Sequence, residues 1–232
     1  KGRLKGSVSA EKGMGSFIQA IKEYIISKGG QFHFSKVPPH PQEGFPTFVA
    51  CDLQSAIDLL QSWGVVEDLL LYSQNSLSLT SVTLQFAKEP APLYGFGCLL
   101  PNKEDFNALG VLFNHSIFPG RVESGFSETW IFSDGKLRWS EMEDHKILSA
   151  INSDRRRLFR SEESHSQYRR FSWPERIPHY SPSLELALEQ LEQTPLSVIL
   201  VGNYLGDLGL SKIIELAQKK VDEFAKENSW PQ

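Results

Sequence analysis

The residues best placed to do chemistry lie in one stretch, Leu196 to Phe224. Leu196–Val201 is a short, continuous apolar run with β-branched residues, the pattern of a strand buried on both faces. It stops at Gly202-Asn203, and Gly206 and Gly209 then loosen the backbone. A helix follows, with Leu210, Ile213, Ile214, Ala217, Val221 and Phe224 at helical spacing. Strand, glycine turn and helix together aim unpaired N–H groups and a positive dipole end beyond the strand. A phosphate, a carboxylate or an electron-rich ring edge would be stabilised there. An ordinary βα unit that closes a sheet has the same pattern.

The other chemical candidates are thinner. Histidines 33, 40, 115, 145, 165 and 179 show no H-x-x-x-H or H-E-x-x-H spacing, so no metal site is expected. No G-x-S-x-G elbow occurs, and no catalytic residue stands out. Neither G-x-G-x-x-G nor G-x-x-x-x-G-K-[ST] is found in these 232 residues. Glu141, Glu143 and Asp144 suit the start of a helix by dipole complementation. Arg155-Arg156-Arg157 and Arg169-Arg170 read as solvated surface, because the aromatic interleaving of a strand-binding groove is absent. A formal charge of −4 gives no footprint for nucleic acid. Cys51 and Cys98 sit in apolar runs outside any disulfide framework, which points to reduced thiols and a cytoplasmic setting.

Several elements must position the glycine turn. Ser16 can cap a helix whose apolar face is Phe17, Ile18, Ile21 and Ile25, ended by Gly29-Gly30. Gln31–Val37 is a strand candidate, and Pro38 to Pro46 a proline-rich loop. Thr47–Cys51 reads as a short buried strand, with Asp52 as N-cap of a helix over Leu53–Trp63. From Leu77 the texture becomes antiparallel: the Leu77 run, Tyr94–Pro101, Ala108–Phe113, Phe126–Phe132 and Gln167–Trp173 are strands, the last closed by Pro174. Glu141–Phe159 and Leu184–Gln193 are helices. Wound-sheet pieces at 1–63 and 196–232 therefore flank an antiparallel module at 75–180, with a connecting helix in 181–195. The fold class is α+β / α/β.

Six phrases in order resemble the flavin-containing amine oxidase superfamily, most closely its protoporphyrinogen oxidase branch. They are KGMGSF (12–17), PTFVACDLQSAIDLL (46–60), YGFGCLLPNKE (94–104), LGVLFNHSIFPGR (109–121), WPERIPHY (173–180) and ILVGNYLGDLGLSKII (199–214). The resemblance implies part of a Rossmann-like FAD domain interrupted by an antiparallel-sheet substrate domain. It implies FAD as cofactor and oxidation of protoporphyrinogen, or a similar planar apolar substrate, with electrons passing to flavin and then dioxygen. It places the ring-clamping positions on Leu99, Leu112 and Phe132; sheet core is the alternative for all three. It places Val37 against the adenine part of FAD, and Gly202 and Asn203 near the ribityl-pyrophosphate. Leu208, Gly209 and Leu210 would face the flavin's pyrimidine edge, and Trp173 lies in the Trp-Pro bend.

The sequence departs from that family where its glycine fingerprint should be, and the Pro-Gln-Tyr-x-x-Gly-His pattern appears as Pro178-His179-Tyr180 with Ser183-Leu184. The chain is therefore expected to be a C-terminal portion that does not hold FAD tightly and is inactive alone. The contrasting expectation is a non-catalytic module that keeps the apolar slot for a porphyrin-like ligand. Expected partners are the planar substrate, a second copy of the chain and a peripheral membrane surface; a partner or dimerisation would cover part of the sheet edge and apolar surface that missing strands leave exposed.

Overall fold

The computed structural model describes residues 9–34, 38–41, 43–65, 68–87, 93–118, 120–160, 164–194, 196–206 and 208–227. The chain runs α1 (Met14–Ser27), β1 (Phe48–Val49), α2 (Leu53–Trp63), β2 (Ser76–Phe86), β3 (Gly97–Leu99), β4 (Gly110–Phe113), a single turn α3 (Asn114–Ile117), β5 (Phe126–Ser133), α4 (Asp144–Phe159), β6 (Gln167–Pro178), α5 (Pro182–Gln193), β7 (Ile199–Leu200) and α6 (Leu210–Glu227). Two hydrophobic cores organise these elements.

The larger core lies under a five-stranded antiparallel sheet of order β3-β4-β5-β2-β6. Strand periodicity decides what is buried. Val82, Leu84 and Phe86 of β2 alternate inward with Phe126, Trp130 and Phe132 of β5 and Val111 and Phe113 of β4. Helix α4 covers that face with Ile147 and Ile151. One helical turn further on, the same stripe carries Asp154 and Arg155, both essentially inaccessible. Asp154 accepts the backbone N–H groups of Asn107 (3.0 Å) and Ala108 (3.0 Å), and so ties the β3–β4 loop to the helix. Between β4 and β5 the chain turns at Gly125, where φ is +76° and an added Cβ would lie 1.8 Å from the Phe86 carbonyl oxygen.

The smaller core surrounds a parallel pair, β1 and β7, with Phe48 opposite Ile199 and Val49 opposite Leu200. Leu53, Ala56, Ile57 and Leu60 of α2, Leu184 of α5, and Leu69, Leu71, Val198 and Tyr204 from the connections fill it. The Asp52 carboxylate caps α2 by accepting the Ser55 N–H (3.1 Å), and the left-handed Gly64 ends it.

Several sequence expectations need correction. Only Ile199–Leu200 of the Leu196–Val201 run is strand, because its partner β1 is two residues long. Gln31–Phe34 is not strand, and Ser35–Val37 lies outside the described residues. Helix α4 starts at Asp144 rather than Glu141. Strand β6 continues through Pro174 to Pro178. Proline is tolerated there because β6 is an edge strand and Glu175, the next residue, turns its N–H inward to Ser78 Oγ (3.0 Å). Arg155 is no solvated surface residue: it is 1% exposed and paired with Glu128.

Candidate functional site

The sheet face away from α4 is built by the odd positions of β2 and β6 and their neighbours. The register aligns Leu112, Thr129, Thr83 and Arg169 in one row, and Gly110, Ile131, Ser81 and Phe171 in the next. Opposite Gly110 stands Leu99, 91% exposed. Phe171 and Trp173 continue this face with rings 6.2 Å apart and nearly parallel. The Thr83 and Thr129 hydroxyls share a hydrogen bond of 2.8 Å, and Asn114 Nδ2 donates to Thr129 (2.8 Å). The face thus has apolar flanks and a satisfied polar centre.

Of the three expected clamping residues, Leu99 and Leu112 share this face. Phe132 does not. Its ring is fully buried on the α4 side, 4.7 Å from the Trp139 ring. The difference is one of strand parity, since Phe132 and Ile131 are adjacent on β5 and point to opposite faces. The three cannot line one slot.

At the other end of β6 the sheet meets the glycine turn. Arg176 pairs with Asp52 and donates to Ser55 Oγ (3.2 Å) at the start of α2. The Arg176 carbonyl accepts Asn203 Nδ2 (3.3 Å), and the Tyr180 hydroxyl donates to the Asn203 carbonyl. Three elements distant in sequence are joined there. No local spacing announces Arg176 and Asp52 as partners, although Asp52, Arg176, Tyr180 and Asn203 all fall inside phrases that carried the family resemblance. Burial pushes the Asp52 carboxyl up, but the Ser55 N–H and hydroxyl and the Arg176 guanidinium outweigh it and hold the group below its ordinary value. A lowered carboxyl adds stability above its unfolded value of 3.8, and this is lost as pH falls through the lowered one. Asp52→Ala should therefore cost about 1 kcal/mol at neutral pH. In urea titrations across pH the gap to the parent should narrow in acid; a constant gap would refute the linkage.

Gly202 and Asn203 lead out of β7, and Leu208, Gly209 and Leu210 open α6, as the sequence places them. Leu208 and Leu210 are about half exposed, and a Cβ on Gly209 would meet nothing nearer than Lys212 Cγ at 4.0 Å. The first turn of α6 carries no acidic residue to neutralise its dipole. Asn203 Oδ1 and the Tyr204 hydroxyl are buried and lack a hydrogen-bond partner among the described residues. Burial, then the neighbouring Cys51 and Asp52, raises the Tyr204 phenol, so this hydroxyl stays protonated. Val37 lies outside the described residues. Among the described residues no cluster of three or more His, Cys, Asp or Glu could hold a metal ion, and no helix is long and apolar enough to cross a membrane.

No family model matches the chain. Its fold, helices packed on a five-stranded antiparallel sheet beside a short parallel pair, is nonetheless shared with solved structures. A crystal structure from Exiguobacterium sp. 255-15 assigned to protoporphyrinogen oxidase superposes with a TM-score of 0.79 at 15% identity, covering 97% of this chain and 54% of that one. Reduced UDP-galactopyranose mutase superposes with a TM-score of 0.59 at 13% identity, covering 83% and 45%. In sequence the chain is similar to protoporphyrinogen oxidase. It is 28% identical over 158 residues to protoporphyrinogen oxidase 2, chloroplastic/mitochondrial, of Arabidopsis thaliana, covering 64% of this chain and 31% of that protein. With the mitochondrial protoporphyrinogen oxidase of Nicotiana tabacum it shares 23% over 146 residues, 60% and 29% of the two lengths. The chain spans under a third of the curated relatives it matches.

The residues present fit one end of a flavin. An exposed helix start without a first-turn acid can meet an electron-rich ring edge. The orphaned Asn203 Oδ1 is an acceptor without a donor in the same turn.

Proposed function

We propose that this chain supplies the substrate sheet and the returning half of a flavin site in an FAD-dependent oxidoreductase acting on protoporphyrinogen or a similar planar apolar molecule. One observation carries the reading. The exposed apolar sheet face that bears Leu99, Leu112, Phe171 and Trp173 runs along β6 directly into the Arg176–Asn203–Tyr180 junction, so slot and turn share a wall.

When bound, FAD would supply the two-electron acceptor. The chain's own residues would do the rest. Leu112 and Trp173 present apolar surface to a flat macrocycle, and Leu99 extends it at the β3 edge. Tyr180 and Asn203 hold the glycine turn at a fixed place relative to that surface. Leu208–Leu210 offer backbone N–H groups toward the ring edge. In this reading residues 1–63 and 196–232 belong to the cofactor side and 75–180 to the substrate side, while Leu69, Leu71 and Leu184 pack with the former.

A porphyrin titration tests the slot. Protoporphyrin should quench the tryptophan emission of the chain saturably, and Leu112→Glu should weaken binding at least tenfold by placing a carboxylate in the apolar face. Unsaturable quenching, or equal binding by the variant, would refute the slot.

A further inference from the structure

Three arginines lie on β6, and two of them are occupied within the fold. Arg170, on the α4 side, donates to the carbonyls of Met142, Trp139 and Ser140 and to the Asp144 carboxylate. Arg176 is held by Asp52 and Ser55. The Arg169 side chain is exposed and has no hydrogen bond, ion pair or ring contact among the described residues. Strand parity puts it on the face opposite Arg170, the one that bears Leu112, Phe171 and Trp173. Its neighbours there are Thr83 directly across, Ser81 and Gln85 on the diagonals, and Gln167 and Phe171 along β6. None of them is a carboxylate. The face therefore presents a cation and no counter-charge beside it.

The polar row that ends at Arg169 has the same sense. Asn114 Nδ2 donates to Thr129 Oγ1 (2.8 Å), and Thr129 shares a hydrogen bond of 2.8 Å with Thr83. An amide nitrogen only donates, so Thr129 is free to pass its own proton to Thr83. The Thr83 O–H is then left as a donor beside the guanidinium. Two such donors side by side suit a group that only accepts, and the planar fork of arginine matches a carboxylate best. Residues two apart on one strand stand about 7 Å from each other. A carboxylate at Arg169 thus lies at the margin of a ring resting on Phe171. The glycine turn meets β6 beyond Trp173, at the opposite end of the face.

We propose that Arg169, with the Thr83 hydroxyl, is the carboxylate-binding residue of this face, and that the ligand it selects is a planar apolar ring with an acidic side chain on its margin. The inference rests on the slot proposed above and adds the ligand's charge and orientation to it. The acidic margin lies at Arg169, and the opposite margin is directed toward Asn203 and Leu208–Leu210. A surface ion pair is weak in bulk water; a ring covering Phe171 and Trp173 excludes solvent from one side of this one and strengthens it.

The test is a paired titration of the purified chain, read by tryptophan quenching. One ligand is protoporphyrin, whose acidic side chains end in carboxylates; the other is its dimethyl ester, which has none. The parent should bind the acid about tenfold more tightly than the ester. Arg169→Gln should remove that preference, weakening the acid roughly tenfold and leaving the ester unchanged. Arg169→Lys keeps the charge, loses the fork and should recover part of the preference. Raised ionic strength should weaken binding of the acid alone. Leu112→Glu, by contrast, should weaken both ligands, because it spoils the apolar face itself. The Arg169 substitutions fall on an exposed side chain, and circular dichroism would verify the fold. A preference for the acid that survives in Arg169→Gln, or saturable binding with no preference at all, overturns the carboxylate site and leaves the slot standing. Equal weakening of acid and ester by Arg169→Gln also overturns it, since charge recognition moves only the acid. A parent that binds neither ligand saturably overturns slot and carboxylate site together.

Discussion

Arg155→Met should melt roughly 10 °C below the parent chain, the largest loss expected from a substitution outside the turn. Arg155 Nε donates to Glu128 Oε2 at 2.9 Å with both side chains 1% exposed, and Trp130 Nε1 donates to the same oxygen at 3.0 Å. The guanidinium also lies 4.1 Å from the centre of the Phe86 ring. Removing it strands a carboxylate in the larger core, and breaking a buried pair on one side costs about 3–5 kcal/mol. Burial already raises the Glu128 carboxyl despite Arg155 and Trp130, and without Arg155 it should rise further. A raised acid favours the folded state below its unfolded value of 4.5, and this advantage is lost as pH rises through the folded value. The deficit of Arg155→Met should accordingly be largest near neutrality and shrink in acid. Arg155→Met/Glu128→Gln should recover most of it, since glutamine still accepts from Trp130 without a charge. Urea midpoints at two pH values decide the matter: a single variant within 1 kcal/mol of the parent, or a deficit that grows in acid, would refute it.

The same residue shows where sequence reading reached its limit. Helix α4 was legible from Ile147, Ile151 and Leu158, yet the Arg155-Arg156-Arg157 run looked like surface. Only one of the three sits on the helix stripe that meets the sheet, and its counter-charge Glu128 lies on β5. A buried ion pair between elements 27 residues apart leaves no local pattern. The antiparallel strands were legible because alternation is a local signal, and β6 outran its expected end because an edge position forgives Pro174. Parity along β5 was legible too, and it argues against Phe132 as a slot residue; the family resemblance named the residue without regard to its face. The Arg176–Asp52 junction joins residues 124 positions apart and, like the Arg155–Glu128 pair, could be found only in three dimensions.

Gly202→Ala should destabilise the smaller core by about 3 kcal/mol, at the upper end of what overpacking usually costs. A Cβ there would stand 2.1 Å from Tyr204 Cε1 and 2.7 Å from its Cδ1. The φ of Gly202 is −131°, so the backbone itself would accept alanine; the obstacle is the ring. That ring is completely buried, in the core that also holds Val49, Leu53 and Leu200. Tyr204→Leu alone should also destabilise, by loss of volume. In the double variant the clash is gone, so Gly202→Ala should cost nearly nothing when added to Tyr204→Leu. A thermodynamic cycle over the two positions measures this coupling. Additive losses would show that glycine is needed at 202 for some reason other than Tyr204. The expected coupling bears on the site as well. If Tyr204 explains Gly202, that glycine is no evidence for a ligand, and the case for the turn rests on Asn203 with its unmatched oxygen and on the exposed Leu208–Leu210 segment. Those positions tolerate side chains on steric grounds, because nothing crowds Gly209. A change there that leaves stability intact but alters flavin contact would separate the site from the scaffold that Gly202 and Tyr204 provide.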